Sequence, residues 1–229
     1  MKNITLKTLT LSLSLLGAPT LRAATVISPA APSDVPAGMS YDVKPDAVRN
    51  PQELRGKRIA VLASHGVQDI ELSFPVNDLQ ARGATVDIFT PSWISERVLL
   101  VDFVKPTSWA SVKGSLDRFN APDYDMLFIP GGAWTAKVLR TDAKALQILQ
   151  DFYLSGKPVA VICAGAEVLI NAGLVKGQRV TGTPSIREDL ENAGGTYIDE
   201  PVVLTENLIM SRSPGDLVEF TRALRSALR

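Results

Sequence analysis

The chain has a single cysteine, Cys163, and it stands in the stretch VICAGAEVLINAG (161–173), where an apolar run stops and a glycine-punctuated helical pattern begins. A thiol at the carboxyl end of a buried strand, followed by the small residues Ala164 and Gly165, occupies the tight turn that lifts a nucleophile clear of a sheet. The amides that open the next helix then point at the sulfur, which favours thiolate over thiol and predicts a lowered pKa. The competing reading is a small buried hydrophobe, the commonest fate of a free cysteine. The strand-end position tips the balance toward reactivity.

Other residues able to do chemistry are few. Glu71 lies in QDIEL, early in a helical pattern, where a solvated helix-face glutamate is the ordinary reading and burial would raise its pKa. His65, the one histidine, sits in the loop SHGVQD and is either a substitute base and substrate contact or a plain loop residue. Arg212, in SRSP, offers a planar fork for a carboxylate or phosphate, or an ordinary salt bridge at the start of a helix. Trp93, Trp109 and Trp134 read as packing residues, with Trp134 also able to line a cleft because it follows the Gly131-Gly132 turn. One histidine and one cysteine without ligand-like spacing build no metal site, and no cofactor is expected.

These residues need a scaffold, and the apolar runs supply it. RIAVLA (58–63), TVDIF (85–89), DMLFIP (125–130) and PVAVIC (158–163) are continuous apolar strands, not alternating ones. Amphipathic helical patterns separate them, at 70–81 and 143–156. That combination predicts an α/β fold with a mostly parallel sheet covered on both faces, whose ligands sit at the carboxyl ends of the strands. Further on, the sequence predicts a helix over 185–192, two short strands in VVLTENLIM around a Glu206-Asn207 turn, and a closing helix over 214–228. The segment between Pro91 and Asp123 contains the strand-like VLLVDFV but otherwise lacks a period, and reads as an insertion that walls one side of a pocket.

With 229 residues, 45% hydrophobic and 21% charged, the chain suits one large domain. Its formal net charge of zero and dispersed basic residues argue against nucleic acid and against an anionic membrane surface. Residues 1–23 carry Lys2 and Lys7 ahead of a short Leu/Ser/Thr-rich stretch and a small-residue site near Ala23, the pattern of a secretory signal peptide. An exported, periplasmic or secreted protein is expected, without an intramolecular disulfide. Residues 24–56 hold Pro29, Pro32, Pro36, Pro45 and Pro51 and read as a linker arm draped on a domain over 57–229.

Four blocks together carry a resemblance: RIAVLASHGVQDIELSFPVNDLQARGATVDIFTP, YDMLFIPGG, GKPVAVICAGAEVLINAGLVKGQRVTG and ENAGGTYIDEPVVLTENLIMSRSPGDLVEF. They are similar to the ThiJ/PfpI family of the class I glutamine amidotransferase-like superfamily. The resemblance implies a flavodoxin-like three-layer sandwich, a homodimer and a small-molecule substrate. It assigns Cys163 as nucleophile, Glu71 as the carboxyl touching it, and the Gly132 and Ala164 amides as oxyanion donors. Three positions depart from the family pattern. Ala164 follows the cysteine where protease-like members carry histidine, which argues against proteolysis. Thr183 stands before the later proline where the parkinsonism-associated branch has histidine. Gln68 replaces a common acidic residue. Thr183 and Gln68 remain substrate-contact candidates beside His65, Arg212 and Trp134. The chemistry expected is hydrolase-, glyoxalase- or deglycase-like attack on an electrophilic carbonyl. The alternatives are an isonitrile hydratase-like lyase and a redox-responsive, chaperone-like or ligand-binding dimer without turnover.

Overall fold

The structure, a computed structural model, describes residues 43–229; the expected signal peptide and most of the arm lie outside the described residues. Strands β1 (Arg58–Leu62), β3 (Thr85–Thr90), β7 (Met126–Ile129) and β8 (Val159–Ile162) form the centre of a seven-stranded sheet. Its order is β11-β12-β8-β7-β1-β3-β6, where β6 is Gly114–Ser115, β11 is Val202–Thr205 and β12 is Leu208–Ser211. All neighbours are parallel except β11 and β12, a hairpin turning at Glu206 with φ +49°.

Every residue of β7 and β8 is buried, which explains why these strands read as unbroken apolar runs. Alternate side chains serve opposite faces. Ile59 and Val61 join Leu72, Val76, Phe220 and Leu224 under α1 (Asp69–Ala81) and α6 (Leu217–Leu228). Ala60 and Leu62 join Leu149, Phe152, Val168 and Leu169 under α3 (Ala143–Leu154) and α4 (Ala166–Asn171). The result is the three-layer, flavodoxin-like sandwich expected from the sequence.

The segment between Pro91 and Asp123 is more ordered than its sequence suggested. β4 (Arg97–Asp102) reverses at Phe103 into β5 (Lys105–Ser111), and this hairpin pairs with β2 (Val67–Gln68) as a separate three-stranded sheet. β2 falls inside the stretch that reads as a loop. The described part of the arm is anchored as well: Leu54 is fully buried, and the Leu54 amide donates to the Arg82 carbonyl.

Candidate active site

β8 leaves the sheet at Ile162 in extended conformation, and Cys163 turns abruptly to φ +58°. Left-handed backbone at a residue bearing a Cβ costs roughly 1–2 kcal/mol and persists only where its surroundings enforce it. The enforcing contact comes from Gly165 in the turn Cys163–Gly165. A methyl group there would lie 2.9 Å from the carbonyl oxygens of both Ile129 and Pro130, so only glycine lets the turn press against the end of β7.

Glu71 is delivered from the first turn of α1 and is fully buried. Pro75, four residues on, has no amide to donate to the Glu71 carbonyl, so α1 lacks one bond of its ladder at the residue that carries the carboxyl. The start of α1 is fixed from outside. Asp69 Oδ2 accepts hydrogen bonds from Thr107 (2.5 Å) and Ser108 (3.0 Å) of β5. Gln68 Nε2 donates to Asp102 Oδ1 (3.0 Å), while the Phe103 amide donates to Gln68 Oε1 (3.0 Å). The hairpin therefore holds the helix end that carries Glu71.

Gly131 lets carboxyl and thiol meet. A methyl group there would lie 2.0 Å from Glu71 Oε2 and 2.7 Å from Cys163 Cβ, so any side chain would occupy the space where they converge. Gly132, with φ +107°, presses equally close to Gly66 and Gln68.

Burial governs the electrostatics of the pair. It pushes the Glu71 carboxyl up to about 8, against the opposing pull of the Cys163 thiol and the Gly131 amide. Those two groups lie near the carboxyl without aligning on it, and neither Glu71 oxygen has a well-directed hydrogen-bond partner. Burial also pushes the Cys163 thiol well up, and the Glu71 charge adds to this, while the Ala164 amide and Thr183 hydroxyl pull it down. The lowered thiol pKa expected from sequence is thus overturned. The turn and the six-residue α4 behind the sulfur are too weak a dipole to offset burial. Cys163 nonetheless keeps part of its surface open to solvent.

Glu71, Cys163, Ala164, Thr183 and the Gly131-Gly132 turn are thus brought together. Two other expected contacts are not free to bind substrate. Both ends of the Gln68 amide are spent on the hairpin. Arg212 follows the Ser211–Ile162 pair at the carboxyl end of β12, but its fork is closed bidentately on Asp216 (2.9 and 2.9 Å) and on Asp199 (2.6 Å). His65 lies one loop away, its Nδ1 accepting from the Leu99 amide (3.0 Å). The tryptophans are not core residues: Trp93, Trp109 and Trp134 are 63%, 46% and 65% exposed. Sequence reasoning missed the parts played by Gly131, Asp69 and Pro75. Of these, only the Pro75 signal, a proline four residues after the acid, was readable in one dimension.

A strained cysteine at the end of a buried parallel strand, under a buried carboxyl from the first crossover helix, defines the cysteine-elbow class of α/β sandwich proteins. The chain belongs to the DJ-1/PfpI family, whose profile matches residues 57–227. It is 33% identical over 172 residues to a deglycase of Thermococcus kodakarensis, covering 75% of this chain and 99% of that protein. It is 33% identical over 171 residues to protein/nucleic acid deglycase 2 of Escherichia coli, covering 74% and 96%. Among solved structures it is similar to Schizosaccharomyces pombe DJ-1, with a TM-score of 0.66 and 31% identity over 74% of this chain and 90% of that one.

Proposed function

We propose that the protein is a hydrolase- or deglycase-like enzyme in which Cys163 attacks an electrophilic carbonyl carbon of a small molecule. The observation that carries this reading is the strained, partly open Cys163 beside a buried Glu71 whose pKa is pushed up to about 8. The family relationship and the deglycase relatives support it.

The reactive form is the minority arrangement of the singly deprotonated pair, reached when the thiol passes its proton to the Glu71 carboxylate so that the charge sits on sulfur. Cys163 Sγ forms the new S–C bond as the carbonyl π pair moves onto oxygen. Glu71 then delivers its proton to that oxygen, leaving a neutral adduct and a carboxylate. Of the two amides that the resemblance assigns to the oxyanion, that of Ala164 faces the sulfur, which leaves Gly132 as the proposed donor. Cys163→Ser, assayed on 2-oxoaldehyde, thioester and isonitrile substrates, is expected to lose turnover by at least about 100-fold on the true class. Unchanged turnover on all three would remove the cysteine from the mechanism.

A second reading rests on Thr183, which faces the sulfur with a hydroxyl where a base would be needed for repeated turnover. In it, Cys163 is a redox-responsive thiol of a binding or chaperone-like dimer, oxidised by peroxide to a sulfinate. Mass spectrometry after mild peroxide separates the two: this reading fails if the thiol survives while methionines oxidise. We also propose export, supported by the signal-like residues 1–23. Amino-terminal sequencing of the mature protein, with cleavage near Ala23, tests it.

A further inference from the structure

All three tryptophans of the chain gather on one patch, and each is largely exposed. Trp93 and Trp109 stand edge-on to the His65 ring, at centroid distances of 5.6 and 5.9 Å. Trp134 packs under the next residue, since a methyl group at Gly66 would lie 2.5 Å from Trp134 Cβ. The patch adjoins the reactive pair through the diglycine turn, where Gly132 presses on Gly66 and Gly131 on Cys163. Three exposed indoles around one loop is a costly surface to leave in water, and its chemistry is specific enough to name an occupant.

We infer that this patch holds the carrier group of the substrate, and that the group is a flat aromatic ring conjugated to the carbonyl that Cys163 attacks: an aryl ketone or aryl 2-oxoaldehyde. The inference rests on the carbonyl reading proposed above. Indole faces and edges favour a planar π-system over an aliphatic group of equal size. A cationic guest is disfavoured because Arg97 already lies over the Trp109 ring at 5.6 Å. His65 adds a polar handle. Its Nδ1 accepts from the Leu99 amide, so in the neutral ring the proton is on Nε2, which has no partner among the described residues and is a donor for a guest oxygen other than the one charged by the attack of Cys163. His65 therefore acts as a binding donor and not as the substitute base considered from sequence.

Binding can be tested apart from catalysis. Cys163→Ala protein is titrated with acetophenone and with cyclohexyl methyl ketone, followed by saturation-transfer NMR and by tryptophan emission, which reports on this patch alone. Acetophenone is expected to bind roughly two- to tenfold more tightly than its saturated counterpart. The preference should vanish in Trp134→Ala and return in Trp134→Phe. Equal binding of the two ketones, or a preference untouched by Trp134→Ala and Trp93→Ala, overturns the inference. So does conversion of a dimer to monomer by these substitutions without any ketone preference, which would make the patch an interface. A retained preference with no turnover of aryl or alkyl 2-oxoaldehydes or thioesters in the unaltered protein would instead sink the carbonyl reading and leave this aromatic site standing.

Discussion

The two ends of α1 carry buried carboxylates with opposite fates. Glu71, in its first turn, has no aligned partner, and burial drives its pKa up. About 10 Å along the helix, Asp78 is held by Arg82 (3.1 and 3.2 Å) and Arg225 (2.9 Å). The same arginines reach Glu53 (3.1 Å, Arg82) and Asp46 (2.6 Å, Arg225) in the arm; Arg222 also binds Asp46 (2.6 Å), and Arg229 binds Glu53. Here partners win over burial. Arg222 and then Arg225 hold the Asp46 carboxyl well below the usual carboxylate range, and Arg229 chiefly lowers that of Glu53. One end of the helix satisfies its charge and fastens the arm to α1 and α6; the other withholds partners and keeps a proton available. The difference separates a structural acid from the one proposed to do chemistry.

The signs of the pH dependence follow. The network stabilises the fold above the unfolded carboxylate pKa, and that contribution is lost as pH falls through the lowered folded values of Asp46 and Glu53. Glu71 works the other way. Its folded pKa is raised, so full stability is present below about pH 4.5 and declines as pH rises toward about 8, where the folded state still binds a proton that the unfolded state has released.

The largest effect expected is from Asp78→Asn, which removes the carboxylate shared by two buried guanidinium groups and should cost about 3–5 kcal/mol in denaturant unfolding. Glu71→Gln should do the reverse at pH 8, raising stability by roughly 2–4 kcal/mol while flattening the decline between pH 4.5 and 8. A stability loss at pH 8 would erase the contrast between the two helix ends. Gly131→Ala intrudes on both partners of the site and should cost about 1–3 kcal/mol together with a 10- to 100-fold loss of turnover. The smallest effect belongs to Arg222→Ala, on the exposed rim of the network. Its Tm should be nearly unchanged, and any difference should disappear at high salt.

How much of this was readable in advance also differs between regions. The four central strands, the cysteine elbow and the terminal hairpin could be located from sequence because continuous apolar runs and glycine punctuation are local signals. The meeting of Glu71 with Cys163 was expected only through family resemblance, since no spacing rule brings residues 71 and 163 together. β4 read as strand-like, but its hairpin partner β5 stayed hidden because β5 shows solvent on most of its residues and has little apolar alternation. The thiol pKa came out in the wrong direction because sequence displays the helix start and not the depth of burial. The spent amide of Gln68 and the closed fork of Arg212 are likewise pairings across 34 and 13 residues, set by the fold.

The central claim is that Glu71 and Cys163 titrate as one proton-sharing pair. The rate of Cys163 alkylation by iodoacetamide against pH, in the unaltered protein and in Glu71→Gln, addresses it directly. We expect a first rise near about 8, where the pair loses its first proton, ahead of the main ionisation of the raised thiol; in the variant the first rise is lost and the main one moves down, because the Glu71 charge no longer opposes the thiolate. Superimposable profiles would show that the carboxyl does not act on the sulfur, and the account would fail.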